Sequence, residues 1–275
     1  MIVVTGATGN VGGPLMRALT AAGEQVTAVS RRISAQDVPR GVRHHQADLA
    51  KPETLAPALD NAEVLFLLTS GDFVAAGGIV SDVLDVARAG GIRRVVLLSS
   101  QGVATGRHPS TLEDPLTQSD LEWTLLRPGG FHSNTLQWAE MVRMQRMVAA
   151  PFGDVELPNI DPADIAEVAA VALRDPGHVG KAYELTGPAP ISPRQQTSAI
   201  ADALGEPVRF VEQSRAEAQA QMLQFMPEPV VVATLDILGN PKPGEQRVSH
   251  DVERILGRPP RTFAEWVTRN IAAFK

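Results

Sequence analysis

The 275-residue sequence contains no cysteine. That excludes disulfides, thiolate nucleophiles and cysteine-based metal sites. Tyrosine is almost absent as well, Tyr183 being the only one, and there are four lysines, Lys51, Lys181, Lys242 and Lys275. Basic residues are scattered and the net charge is −6, so the basic stripe of a nucleic-acid binder is missing and no such partner is expected. No apolar run approaches the length of a membrane span, and no membrane partner is expected. No charged segment precedes the first apolar stretch, so a secretion signal is not expected and the cytoplasm is the default location. The six histidines show no ligand spacing. His44 and His45 are adjacent and expected on a strand facing opposite ways, and no metal site is expected. What remains is an ordinary globular composition, 44% hydrophobic and 20% charged, long enough for one large α/β domain or a domain with a lobe.

The richest stretch is the beginning, Met1-Ile-Val-Val-Thr-Gly-Ala-Thr-Gly-Asn-Val-Gly12. An apolar run over residues 2–4 stops at a glycine-rich turn, and a helical pattern carrying Leu15, Met16 and Leu19 follows. Gly6, Gly9 and Gly12 fall at even three-residue spacing. A turn this tight needs backbone without Cβ, and a pyrophosphate needs free N–H groups and the positive end of a helix dipole. The spacing differs from G-x-G-x-x-G but asks the same of each glycine. Pro14 lies in the first turn of the helix, where its missing N–H costs nothing, and Gly23 ends it.

A second strand over residues 25–30 ends in Ser30-Arg31-Arg32. A site for the unphosphorylated dinucleotide places Asp or Glu here, to hold the ribose hydroxyls. A guanidinium instead forks onto a phosphate, so NADP(H) is the expected cofactor, with NAD(H) as second choice and Arg31 or Arg32 on the 2′-phosphate. A third strand over 42–46 leads to Asp48, and a fourth over 63–69 is apolar throughout, as a strand buried on both faces requires. Strand ends on this side lie beside the cofactor, which makes Asp48, Leu68, Thr69 and Ser70 candidates for the adenosine half; Asp48 reads equally as the cap of the segment from Pro52. A helix over 79–89, a fifth strand over 94–100, a turn-rich stretch over 101–115 and a sixth strand over 121–131 follow. Strand and helix alternate, which predicts a Rossmann-type doubly wound parallel sheet over residues 1–150. A smaller C-terminal α/β substrate lobe is expected over 151–275, packed as one unit. There, helices are expected over 135–148, 161–173, 192–204, 214–226, 230–238 and 263–273, and strands over 181–186 and 208–211.

Several blocks now stand together: Thr5-Gly-Ala-Thr-Gly-Asn-Val-Gly12, Ala47-Asp48-Leu49, Val95-Val-Leu-Leu-Ser-Ser100, Thr124-Leu-Leu-Arg-Pro-Gly-Gly130, Tyr183-Glu-Leu-Thr-Gly187 and Thr262-Phe-Ala-Glu-Trp266. In this order they resemble the NmrA-like group of atypical short-chain dehydrogenases/reductases, over nearly the whole chain. That group holds NAD(P)H-dependent quinone reductases, tailoring reductases of aromatic polyketide pathways, and regulators that bind the nucleotide without turning it over. The resemblance implies that Gly6, Thr8, Gly9, Asn10 and Val11 hold the pyrophosphate and Arg31 the 2′-phosphate. Asp48 and Leu49 would then hold adenine, and Leu68, Thr69 and Ser70 the adenosine. Ser99, Gly129 and Phe131 fall along the nicotinamide end.

The Tyr-x-x-x-Lys pair of typical short-chain dehydrogenases is absent from residues 101–120. Reducing an isolated ketone makes a strongly basic alkoxide, whereas a quinone yields a phenolate-like anion, phenols having a pKa near ~10. The expected activity is therefore NAD(P)H-dependent reduction of a quinone or related small aromatic. Polyketide tailoring, with reduction leading to net hydroxylation by oxygen, is one form of it. The alternative is a non-catalytic NADP sensor. Ser100 stands where many short-chain dehydrogenases carry a catalytic serine and reads equally as a turn cap. His132 reads as a surface histidine or as a proton donor beside the nicotinamide. Asn134, Trp138, Met141, Met144, Phe152, Met222, Phe225 and Met226 are candidates for an apolar substrate pocket, or for lobe core. A monomer or homodimer is expected.

Overall fold

The computed structural model describes residues 1–71, 73 and 76–275. Two compact units emerge, and the chain passes between them more than once. The first holds residues 1–128, 162–184 and 254–257; the second holds 129–161, 185–253 and 258–275. Residues 129–150, placed with the first part by sequence, belong to the second.

In the first unit, β1 (Ile2–Thr5), α1 (Gly12–Ala21), β2 (Val26–Ser30), β3 (Arg43–Gln46), a 3-10 turn (Pro52–Ala58), β4 (Val64–Leu67), α2 (Val80–Ala89) and β5 (Arg94–Leu98) follow the expected alternation. The turn-rich stretch after β5 contains two short helices, α3 (Gln101–Ala104) and α4 (Asp114–Thr117), before β6 (Glu122–Pro128). Seven strands form one sheet in the order β3-β2-β1-β4-β5-β6-β8, where β8 is Lys181–Leu185. The pairs from β3 through β6 are parallel. The order reverses between β1 and β4, the switch point at which ligands of such sheets bind. Val3, Leu65, Leu67, Val95 and Leu97 pack with Leu55, Leu59, Val83 and Leu84 into one apolar core. α6 (Pro162–Arg174) belongs to this unit too, and its buried face, Ile165, Ala166, Val168 and Ala169, is rich in small residues.

The second unit differs from the sequence reading. Residues 135–148 are not one helix. A 3-10 turn (His132–Trp138) and α5 (Ala139–Gln145) end at Arg146, which takes left-handed φ of 49°, and Met147 opens β7 (Met147–Pro151). β7 pairs in parallel with β9 (Arg209–Gln213), Val148 standing opposite Phe210. That partner lies some sixty residues away, which local periodicity does not report. α7 (Pro193–Leu204) starts with a Ser192–Gln195 capping box and ends at Gly205 in left-handed conformation, as its sequence signals demand. α8 (Arg215–Met222), α9 (Glu228–Gly239), α10 (Pro243–Gln246), α11 (Asp251–Leu256) and α12 (Phe263–Asn270) complete the chain. α9 runs through Pro229, which sits in its first turn rather than before it; α10 and α11 carry too little periodicity to read in advance.

Candidate functional site

The opening turn is shaped by what its glycines lack. Gly6 has φ of +63°, and a Cβ there would meet the Leu68 side chain at 2.8 Å. A Cβ on Gly12 would lie 2.2 Å from the Gly6 carbonyl, where helix and turn touch backbone to backbone. Gly9 N–H donates to the Gly6 carbonyl at 3.0 Å, closing the turn. α1 begins after Val11 without a side-chain cap; Gly13 N–H bonds back to the Gly9 carbonyl, Pro14 has no N–H, and the positive dipole end faces the turn, where an anion is favoured. The turn thus fits a pyrophosphate by the absence of side-chain bulk and of a cap. Thr8, Gly9 and Asn10 are exposed on it, and Val11 is buried beneath.

The neighbouring strand ends assemble around this turn. Thr8 Oγ1 and Ser30 Oγ lie 3.1 Å apart, tying the first and second turns together. Arg31 and Arg32 follow Ser30 and are both exposed. Thr5, 1% exposed, joins β1 to β4: its hydroxyl accepts from Leu68 N–H at 2.8 Å and lies 3.1 Å from the Phe66 and Leu68 carbonyls. Sequence reasoning passed over Thr5 and Ser30, although their places at the strand ends were visible. Leu68 and Thr69 are half-buried and Ser70 exposed; Ser70 Oγ accepts from Phe73 N–H. Asp48 accepts from Ala50 N–H at 3.1 Å and its main chain bonds Thr54, so it shapes the turn before Pro52 beside the half-buried Leu49.

Beyond β5 stands a polar cluster that spacing alone did not reveal. Ser99 donates to Glu113 at 2.5 Å, and Arg127 on β6 donates to both carboxylate oxygens, Nε at 2.9 Å and Nη2 at 2.5 Å. Glu113 is 3% exposed, and its hydrogen bond, more than its charge, holds the Arg127 guanidinium above its ordinary pKa. The Ser99 proton is engaged inside the fold, which leaves only its lone pair to meet a cofactor. Ser100 accepts from Gly102 N–H at 3.1 Å and lies 3.1 Å from His108 Nδ1. The lone tyrosine is elsewhere: Tyr183 on β8 is hydrogen-bonded to His178 Nδ1 at 2.8 Å.

In the second unit, Gly129 N–H donates to the Leu185 carbonyl, and a Cβ on Gly130 would fall 2.3 Å from Asn159 Oδ1. Phe131 is half-buried and bridges Ile160. His132 corrects an expectation. It is not a surface residue, for it is 1% exposed, and burial pushes its pKa down to about 4. Neither ring nitrogen makes a hydrogen bond, although the main chain of Arg261 lies near. The ring stands edge-on to Phe263 at 5.2 Å, with Trp266 at 6.3 Å.

The apolar candidates divide. Phe152, Met222 and Met226 pack on Ala218, Val231 and Leu235. Phe152 holds a positive φ of 55° and presses its ring on Gly239, where a Cβ would lie 2.5 Å away. Trp138 instead packs into the core of Val142, Val148, Phe263 and Trp266. Met141 is half-buried, Asn134 exposed, Phe225 64% exposed and Met144 76% exposed, so Met144 is not part of the lobe core. Among the described residues no group of acids and histidines has the geometry of a metal site, and no helix is long and apolar enough to cross a membrane.

Residues 6–176 match the model of a family described as NAD(P)H-binding. The chain belongs to that NAD(P)H-binding family. The chain is 34% identical over 283 residues to the (4-alkanoyl-5-oxo-2,5-dihydrofuran-3-yl)methyl phosphate reductase of Streptomyces griseus, covering 100% of this chain and 99% of the relative. It is 31% identical over 291 residues to the NAD(P)H azoreductase of Xenophilus azovorans, covering 100% and 99%. The crystal structure of the Escherichia coli NADPH-dependent quinone oxidoreductase with NADPH superposes with a TM-score of 0.81 at 26% identity, covering 98% of this chain and 99% of that one. These relatives are reductases and oxidoreductases over nearly their whole length, and the chain is an NAD(P)H-dependent oxidoreductase. With NmrA itself, a negative transcriptional regulator solved with NADP, it shares the fold alone (TM-score 0.75 at 21% identity, 98% and 95% covered).

Proposed function

We propose that this oxidoreductase uses NADPH in preference to NADH to reduce quinones or other small, flat, conjugated acceptors. The observation that carries the reading is the chemistry after β5, where hydroxyls and a histidine stand and the one phenol of the chain is bonded to His178 instead. A conjugated acceptor delocalises the charge left by reduction, so it needs a weaker proton donor than an isolated ketone does. Three relatives support the same reading, being named for an oxo-dihydrofuran, an azo and a quinone substrate. Tailoring of aromatic metabolites is a special case of this reading.

When bound, the nicotinamide supplies the hydride; the protein supplies position and electrostatics. Gly6, Thr8, Gly9, Asn10 and Val11 would hold the pyrophosphate, and Arg31 with Arg32 the 2′-phosphate. Asp48, Leu49, Leu68, Thr69 and Ser70 would border the adenosine, and Ser99, Gly129 and Phe131 the nicotinamide. Ser100 is assigned the hydroxyl that meets the developing anion. Phe152, Met222 and Met226 give the second unit a soft apolar face suited to a flat ligand.

The test follows NADPH absorbance with naphthoquinones, azo dyes and simple aliphatic ketones, with NADH in parallel. Quinones and azo dyes are expected to be reduced and aliphatic ketones not; faster turnover of aliphatic ketones overturns the reading. Arg31→Ala is expected to raise the KM for NADPH roughly tenfold or more, the worth of a charge-assisted contact, while leaving that for NADH unchanged.

A further inference from the structure

We propose that His108 is the proton reservoir behind Ser100, a positioning residue that turns the Ser100 hydroxyl outward and recharges it. The inference rests on the reduction proposed above and names the source of its proton.

Several observations converge on the loop after β5. Ser100 stands two residues past the carboxyl end of β5, the side of a doubly wound sheet on which ligands bind. Its Oγ lies 3.1 Å from His108 Nδ1. Gly102 makes room for that approach: a Cβ there would sit 2.4 Å from the same Nδ1 and 2.7 Å from two ring carbons. The backbone that carries the ring is fixed, since the Arg107 and His108 N–H groups both donate to the Gly102 carbonyl, at 2.8 and 2.9 Å. The bonds from Glu113 to Ser99 and Arg127 pin both ends of the loop to the sheet. His108 is half-buried.

The hydrogen-bond inventory of a hydroxyl then sets the direction of the proton. Ser100 Oγ has two lone pairs and one proton. One lone pair takes the Gly102 N–H. When His108 carries a proton on Nδ1, that N–H fills the second lone pair, and the Ser100 proton points away from the loop. When Nδ1 is bare, the Ser100 proton turns inward to it and nothing is offered outward. Reduction proceeds as follows: the substrate anion takes the Oγ proton, Oγ takes the Nδ1 proton, and the ring takes a proton from water. With the hydride of the bound nucleotide, the acceptor gains two electrons and two hydrogens, and the serine is restored. The charged groups on the surrounding segments are Arg107, Glu113, Asp114 and Arg127. Glu113 and Arg127 are bonded to each other, and Asp114 accepts from Ser110.

The experiment has an arm without the cofactor and an arm with it. In the free protein, long-range 1H–15N NMR follows the tautomer and titration of His108. Ser100→Ala and Gly102→Ala are each expected to displace that titration. With NADPH and a naphthoquinone, wild-type kcat is expected to fall as pH rises through the His108 titration observed by NMR. His108→Asn puts an amide near the place of Nδ1 but cannot titrate. It is expected to lose the pH dependence and roughly a hundredfold in kcat at low pH, the lower end of general acid catalysis, with the KM for NADPH unchanged. A His108 titration unmoved by Ser100→Ala overturns the pairing. A His108→Asn protein that keeps wild-type kcat and pH profile overturns the relay. A wild-type protein that consumes NADPH with no conjugated acceptor overturns the proposed reaction, and the role of the relay with it, even where NMR finds the pair.

Discussion

Two buried polar side chains, one in each unit, are treated in opposite ways. Glu113, 3% exposed, accepts three short hydrogen bonds from Ser99 and Arg127. His132, 1% exposed, has two ring nitrogens without a hydrogen bond and aromatic rings for neighbours. A carboxylate is tolerated inside only when its lone pairs are answered, because the desolvation cost otherwise exceeds any gain. An imidazole escapes that cost by losing its proton, and the depression of the His132 pKa to about 4 is the measure of it. The fully bonded group anchors the loop that carries Ser100 and His108, whereas the unbonded one is packed as an aromatic. Burial alone therefore does not mark a working residue; the partners do.

The largest effect should come from breaking the bonded cluster. Glu113→Ala leaves Arg127, only 24% exposed, without its acceptor. The expected loss is about 3–5 kcal/mol, typical of removing one partner from a buried pair, read as a fall in the urea midpoint.

The unbonded histidine should act through pH. Its folded pKa of about 4 lies below the ordinary 6.5, so between those values the unfolded chain binds the extra proton. Stability is then complete above pH 6.5 and declines as pH falls toward 4. Between pH 7 and pH 5 this amounts to about 2 kcal/mol. Urea denaturation at the two pH values should show that loss in the wild type and not in His132→Leu. An equal loss in both proteins would mean the ring is not desolvated as described.

The smallest effect sharpens the contrast from the other side. Ser99→Ala removes one of the three donors to Glu113 and leaves Arg127 in place. About 1.5 kcal/mol is expected, the low end for a hydrogen bond to a charged group, because Arg127 still answers both carboxylate oxygens. A loss as large as that of Glu113→Ala would make Ser99, not Arg127, the principal partner.

Much of the first unit was legible because its causes are local. Gly6, Gly9 and Gly12 announce a turn that no side chain fits. The apolar β4 announces a strand buried on both faces, and in the second unit the equally local pair Ser192 and Gln195 announces a helix start. Other readings failed where a distant partner decided. Met147 and Val148 continue a helical pattern in sequence but pair with Arg209 and Phe210 as a strand. His132 looks like a polar residue after a glycine turn, yet Phe263 and Trp266 enclose it from more than a hundred residues away. The methionines near Met144 share a composition but not a face, and Met144 itself is exposed.

By itself, the sequence determined that the chain binds a dinucleotide on a doubly wound sheet, because tight turns, buried strands and basic strand ends are written in neighbouring residues. It also determined that no Tyr–Lys pair stands after β5, since a missing residue type needs no fold to be seen. Only the tertiary structure decided what stands there instead. The approach of His108 to Ser100 across Gly102, and the joining of Ser99 and Glu113 to Arg127 on the next strand, depend on a loop folding back on itself. Hydrogen bonds between residues eight, fourteen or more places apart follow no helical or strand period, so they take form only when the chain closes.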